Sequence, residues 1–389
     1  MSRRVLLASR LFVPEVSAGA FRLGALAAAL ARAGAEVVVV TTKPPKHAPA
    51  IADPDGVRVS RWPVLRDRGG NVRGYLQYAS FDGPLLFRLL FRRFDAVVAE
   101  SPPTTALVAQ AVAALHRRPL VYYAADVWTD GVIAMGASGL VVSLMRHMER
   151  AVLRRARAVL SISAEVTERL VALGADRDRI TTVGNGVDTD VFTPDGDLAA
   201  AEEKYFVYTG TMSEWQRPDL FVRAFAQVAD EFPELRLRFF GQGAVEGDLR
   251  ALAEELVPGR VHFGGVVSPQ ESARWIRGAV AALVSIVPGI GYDFARPTKT
   301  YAAAACGTPV LFAGADVGGE VVRDAGLGKA VAFTPDAVAD AMRQMIADAH
   351  SGETERLRSV RSRWARENVS LTAVGSRAAD AVSRAVNVR

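Results

Sequence analysis

PGIGYDFARPTKTYAAAACGTP, residues 288–309, is the stretch on which the reading of this chain turns. The apolar run AVAALVSIV, residues 279–287, precedes it and reads as a buried strand of a parallel sheet. The chain then loosens into a glycine-containing loop and tightens at Arg296-Pro297-Thr298-Lys299. From Thr300 to Cys306 it is rich in alanine and reads as a helix that stops at Gly307. Pro297 suits the first turn of that helix, having no N–H to leave unpaired and a φ already helical. Strand, flexible loop and a helix N-terminus beside two cations and a hydroxyl make a place attractive to phosphate. An ordinary αβ connection would read the same way, so the rest of the chain has to decide.

The 389 residues point to two or three domains of ordinary size. Half are hydrophobic and 23% are charged, which is a globular composition. A net charge of +5 suits an anionic ligand or membrane surface. The arginines are scattered without aromatic interleaving, so nucleic acid is not an expected partner. The single cysteine, Cys306, excludes an internal disulfide and a cysteine-based zinc site. The five histidines (His47, His116, His147, His262, His350) show no metal-ligand spacing. Val5 to Ala8 is too short for a signal peptide, and no run reaches the roughly 18 apolar residues of a spanning helix. The expected location is cytoplasmic.

Working outward, Val5 to Ser9 reads as a strand, Ala20 to Arg32 as an amphipathic helix, and Val37 to Thr42 as a second strand. That is a βαβ unit, which implies a parallel sheet. Its loop is not GxGxxG, so a dinucleotide fingerprint is absent; Gly19 could admit a ligand close to the backbone or serve only as a turn residue. Pro84 to Phe94 carries Leu85, Leu86, Phe87, Leu89, Leu90 and Phe91 beside Arg88, Arg92 and Arg93. A core-facing helix with solvated arginines is the first reading, and peripheral contact with an anionic bilayer through residues 84–94 the second. Strands at Ala96–Ala99 and Leu120–Tyr123 lead into loops that put Gly19, Glu100 and Asp126 on one rim, where open α/β sheets bind ligands. Residues 1–185 form the expected first domain, 186–203 a linker, 204–368 a second domain with the same βα rhythm, and 369–389 a helix returning to the first. The expected fold class is α/β, two Rossmann-like doubly wound domains facing each other across a deep cleft.

Several strings, in order along the chain, resemble the GT-B nucleotide-sugar glycosyltransferases of family 4. They are Phe12-Val13-Pro14-Glu15 with Gly19, Asp126-Val127-Trp128, Met148-Glu149-Arg150 through Ser163, and Asn185-Gly186-Val187-Asp188 with Phe192 and Pro194. Gly210 with Arg217, Gly241-Gln242-Gly243, and Pro297-Thr298-Lys299-Thr300-Tyr301 with Gly307-Thr308-Pro309 complete the set. Each string is weak alone; their order and spacing are specific.

The resemblance implies a retaining glycosyltransferase that moves a hexose-type sugar from a nucleoside diphosphate to an acceptor hydroxyl, in glycan, glycolipid or natural-product biosynthesis. It implies no cofactor and no metal, so protein cations must neutralise the leaving diphosphate. Arg217 falls where similar enzymes hold phosphate, and a guanidinium suits that bidentate task. Lys299, with Pro297 and Thr298, is the second phosphate contact. Gly210 and Gly241 line the donor loops, Val266 and Val267 lie against the nucleobase, and Asp126 is the hydrogen-bond acceptor or base near the transferred sugar or acceptor. Many members carry two glutamates around the phosphate loop; here those positions are Phe294 and Ala302, neither able to accept a hydrogen bond. Asp293 is the substitute available for the first. Two other readings stay open: a nucleotide-sugar-binding protein without turnover, and a nucleotide-sugar epimerase, whose cleft histidines have no counterpart here.

Overall fold

The computed structural model describes residues 3–387 except 16, 46, 47, 49–51, 68, 69, 71, 73, 135, 291, 292, 294 and 295. It divides into two compact units, Met1–Gly186 with Leu371–Arg389, and Val187–Ser370.

The first unit contains β1 (Arg4–Ala8), α1 (Ala18–Arg32), β2 (Glu36–Thr42), β3 (Val57–Trp62), α2 (Tyr75–Leu90), β4 (Ala96–Glu100) and α3 (Pro103–Leu115). It continues with β5 (Leu120–Ala124), α4 (Trp128–Ala134), α5 (Gly139–Arg155), β6 (Ala158–Ser161), α6 (Ala164–Ala172) and β7 (Ile180–Thr182). The strands form one parallel sheet in the order β3-β2-β1-β4-β5-β6-β7. Alternation along β1 explains its unbroken apolar sequence. Leu6 and Ala8 enter one core with Phe81, Leu85 and Leu89 of α2, while Val5 and Leu7 enter another with Leu23, Leu26 and Leu30 of α1. A strand covered on both faces has no solvent side to make polar. Ser17 starts α1 by accepting the Ala20 N–H, a cap worth about 1 kcal/mol.

The second unit contains β8 (Tyr205–Thr209), α7 (Asp219–Ala226), β9 (Arg236–Phe240), α8 (Glu246–Leu256), β10 (Val261–Phe263), α9 (Pro269–Gly278), β11 (Ala281–Ser285) and α10 (Thr298–Ala305). After these come β12 (Val310–Ala313), α11 (Asp316–Asp324), β13 (Gly328–Val331), α12 (Pro335–His350), α13 (Glu353–Arg356) and α14 (Arg358–Asn368). Its parallel sheet runs β10-β9-β8-β11-β12-β13. Here too alternate residues serve opposite layers, Phe206 and Tyr208 on one side and Tyr205 and Val207 on the other. The last helix, α15 (Leu371–Asn387), belongs to the first unit, where Val374, Ala378 and Val382 share the core of α1.

Both sheets reverse their strand order once, at β1/β4 and at β8/β11. Neighbouring crossovers there leave in opposite directions and open a crevice at the strands' carboxyl ends. These rims carry the residues singled out from the sequence.

Three details differ from the sequence reading. Helix α2 begins at Tyr75, well before Pro84, which lies inside it. A proline removes one intrahelical bond, and packing of Phe81, Leu85 and Leu89 holds the helix through the interruption. Helix α7, which the sequence pattern predicts over Asp219 to Phe232, ends at Ala226, and tighter turns follow, Gln227 donating to Ala224 O and Val228 to Phe225 O. Residues 187–197 are tied into the second unit: Val187 donates to Val369 O, and Arg277 to the carbonyls of Thr193 and Asp197.

Candidate functional site

In the second unit, the loops leaving β8, β9 and β10 continue the ladder beyond the strands. Gly210 N–H donates to Phe240 O at 2.8 Å, Gly241 N–H to Gly265 O at 2.7 Å, and Met212 N–H to Gln242 O at 3.0 Å. Gly241 has φ +128°, and a Cβ there would stand 2.0 Å from the Gly210 carbonyl oxygen. Only glycine permits that approach.

Lys299, in the first turn of α10, reaches back under this rim. Its Nζ lies 3.7 Å from the centroid of the Tyr208 ring. The Gly210 backbone is close by, since a Cβ added there would meet Nζ at 3.6 Å. Nζ is buried and has no hydrogen-bond partner among the described residues. Removal from water pushes its pKa down from 10.5 to about 7. The ring face of Tyr208 offsets part of that cost when the amine is charged. The phenol is locked from its far end, 2.7 Å from both Thr211 O and Gln216 Oε1. Gln216 O in turn accepts Ser285 Oγ at 2.6 Å, tying the β8 loop to β11. Tyr208 and Gln216 were not marked in the sequence; only the inward register of β8 hinted at the first.

The remaining named positions divide. Arg217 lies on the same loop, with φ +42° and its side chain 55% exposed. It forks onto Asp219, at 3.3 and 2.9 Å, and that carboxylate raises its pKa. Pro297 occupies the position before α10, Thr298 is exposed, and no side chain caps the helix. Asp293 Oδ1 accepts the Gly289 N–H at 2.7 Å and so closes its own loop. Phe294 lies outside the described residues, as do Val16 and His47; Ala302 is buried in the second unit's core. Val266 is 68% exposed and Val267 partly packed. An open depression lined by Lys204, Glu234 and Arg236 lies at the start of β8 and β9, the opposite end of the sheet.

In the first unit, the β1/β4 rim gathers buried charge. Glu100 accepts Ser9 Oγ at 2.6 Å and lies 3.9 Å from Arg22 Nη2. A Cβ on Gly19 would stand 2.8 Å from Glu100 Oε1, so the space beside Gly19 is filled by this carboxylate. Burial raises the Glu100 pKa, with Arg22, Ser9 and Arg10 opposing and the Asp126 charge assisting. Asp126 is solvent-exposed, yet enough protein surrounds it to raise its pKa by desolvation, against the pull of Arg22. Arg22 also donates to Asn185 Oδ1 at 2.8 Å, and Arg10 sits 4.0 Å over the Tyr78 ring. Glu149 fixes the Asp126-Val127-Trp128 segment from below, accepting from Trp128 N and Thr129 N at 3.0 Å each and from Thr129 Oγ1 at 2.6 Å. Among the described residues, no group of three or more His, Cys, Asp or Glu could hold a metal ion.

Residues 18–186 match the glycosyl transferase 4-like domain, and residues 203–348 match the glycosyl transferases group 1 family. The chain belongs to the group 1 GT-B glycosyltransferases. A D-inositol 3-phosphate glycosyltransferase of Nocardia farcinica is 34% identical over 199 residues, covering 46% of this chain and 42% of that protein. One from Catenulispora acidiphila is 31% identical over 175 residues, 40% of each. The chain thus spans about two fifths of the length of these curated relatives. Among solved structures, sucrose-phosphate synthase of Thermosynechococcus elongatus superposes with TM-score 0.74 at 20% identity, over 96% of both chains. Anabaena HepE in complex with UDP and glucose superposes with TM-score 0.71 at 15% identity, over 98% of this chain and all of its own. These likenesses establish the GT-B fold: two parallel-sheet α/β domains. The group 1 match contains Tyr208, Gly210, Arg217, Gly241 and Lys299, so the buried lysine belongs to the group 1 part.

Proposed function

We propose that this chain transfers a sugar from a nucleoside diphosphate sugar to an acceptor hydroxyl, with retention at the anomeric carbon and without a bound metal. The observation that carries the reading is the buried Lys299 ammonium at the β8/β11 switch point, unpartnered among the described residues. A cation without a counter-ion in such a crevice is costly unless an anion arrives there. The donor's diphosphate is that anion. As the bond from the anomeric carbon to the phosphate oxygen breaks, its electron pair passes to the diphosphate, and Lys299 stabilises the growing charge from a site built beforehand. Arg217 joins it by exchanging Asp219 for phosphate. Thr298 offers its backbone N–H at the start of α10 to the phosphates, in the space that Gly210, Gly241 and Pro297 shape. Asp293 takes the sugar hydroxyl that a glutamate would hold, and Val266 and Val267 border the base. Asp126 accepts the acceptor hydroxyl's proton as the new bond forms, and residues 84–94 meet a membrane surface.

HepE with UDP and glucose makes UDP the first nucleotide to try, and the inositol-phosphate relatives make a phosphorylated polyol the first acceptor. A second reading, binding without turnover, is favoured by Ala302, which offers no side-chain acceptor at its place on α10. Thermal shifts with UDP, GDP, dTDP and ADP, with EDTA, test the donor site, because a ligand of the native state raises the melting temperature. One nucleotide should shift it by several degrees; four null results would end the donor reading. Release of nucleoside diphosphate from the matching donor then separates transferase from binder.

A further inference from the structure

The membrane contact proposed for residues 84–94 has a fuller footprint in the fold than that helix alone, and it stands apart from the transfer reaction. Helix α2 turns Phe81, Leu85 and Leu89 into the core. Its outward side holds large apolar groups: Leu86 is 39% exposed, Phe87 61% and Phe91 82%. The arginines interleaved with them turn inward. Arg88 donates to the carbonyls of Thr41 and Ser60, and Arg92 to Ser60 Oγ at 3.1 Å. Burial and the neighbouring Arg92 lower the Arg88 pKa to about 10. Sequence alone suggests the reverse, apolar groups in and arginines out.

The end of α3 abuts this surface. His116 Nε2 is 3.1 Å from Leu90 O, and its ring centroid is 5.2 Å from that of Phe94. That places Leu115, 69% exposed, beside the end of α2. Arg93, Arg117 and Arg118 are exposed around the same end, and of their neighbours only Asp95 is seen to pair, with Arg118 at 3.4 Å among the described residues. Exposed aromatic and aliphatic groups within a fringe of arginines match an anionic bilayer: rings enter the headgroup boundary while guanidiniums meet phosphate. We propose that the joined ends of α2 and α3 dock the first unit on an anionic lipid surface through Phe87, Phe91 and Leu115, with Arg93 and Arg117 as the electrostatic contacts. The face lies at the amino ends of β4 and β5, so docking leaves the Glu100 and Asp126 rim one strand length away, roughly 16 Å, and open.

The test is co-sedimentation of the full chain with phosphatidylcholine vesicles and with vesicles containing 30% phosphatidylglycerol, alongside light scattering for oligomeric state. The expected result is binding to the anionic vesicles only, weakened at least ten-fold in the double variant Phe87→Ser/Phe91→Ser. Arg93→Glu/Arg117→Glu should weaken it about five-fold per charge or more and flatten its salt dependence. Melting temperatures of both variants within a few degrees of the parent exclude unfolding as the cause, and Phe87→Trp/Phe91→Trp should retain binding with blue-shifted emission. Equal binding to both vesicle types, no binding, or a dimer that Phe87→Ser/Phe91→Ser dissociates would each overturn the proposal, the last assigning the face to a second copy. None of these readouts depends on nucleotide binding.

Discussion

Replacing Lys299 by methionine should stabilise the protein, and by an amount that falls as pH rises. The native pKa of about 7 stands below 10.5, the ordinary value. Between those values the unfolded chain binds more protons than the native one, so wild-type stability rises with pH across that window. At about 1.4 kcal/mol per pH unit, keeping the charged amine in place costs roughly 5 kcal/mol at pH 6 and roughly 2 kcal/mol at pH 9. The Tyr208 ring returns about 1–2 kcal/mol to the charged form, so the net gain for Lys299→Met should be about 3–4 kcal/mol at pH 6. By pH 9 the amine is neutral, the ring returns nothing, and the gain should have shrunk to about 2 kcal/mol. Methionine has nearly the same length and no charge to desolvate, so it fills the space without a cavity. Urea unfolding followed by fluorescence at pH 6, 7.5 and 9 measures this directly. The first and second units must be fitted separately if the transitions do not coincide. A destabilised Lys299→Met, or a difference independent of pH, would show that Nζ is hydrated and that the reasoning fails.

Three other outcomes follow from the same geometry. Gly241→Ala should lose several kcal/mol, measured by urea midpoint, because its Cβ would overlap the Gly210 carbonyl at 2.0 Å and φ +128° is closed to alanine. Glu149→Ala should cost about 3 kcal/mol, since two buried donors and one part-buried donor at the start of α4 lose their acceptor, and its melting temperature should fall accordingly. Nucleotide affinity should fall up to ten-fold per pH unit above about pH 7, where the free protein's Lys299 is neutral and binding must take up a proton. Calorimetry of the nucleotide found by the thermal shift, in buffers of differing ionisation enthalpy, counts that proton.

Much of the architecture could be read from residue patterns. Unbroken apolar runs such as Val5–Ala8 and Ala279–Val287 mean strands covered on both faces, and their alternation with helices implies a parallel sheet. The placement of Lys299 at the start of a helix following a buried strand came from Pro297, the alanine run and Gly307. What could not be read is tertiary register. That β8 lies beside β11, bringing Tyr208 under Lys299, follows from the strand order and from no local signal. The pairing of Arg217 with Asp219, two residues on, is compatible with the sequence but not dictated by it, because a loop arginine suits a phosphate equally well. Glu149 capping Trp128 and Thr129 joins two helices through space, and the inward turn of Arg88 contradicts its hydropathy. Pro84 misled because proline is a breaker by propensity and here the core overrides it.

The central claim is that the second unit binds a nucleoside diphosphate through Lys299. Isothermal titration of UDP into the wild type and Lys299→Met at pH 6.5 tests it most directly, with UDP replaced by the nucleotide that gave the thermal shift if another did. The account predicts saturable one-site binding to the wild type and at least a hundred-fold loss in a variant that unfolds at higher urea. Equal affinity for the two proteins would contradict it.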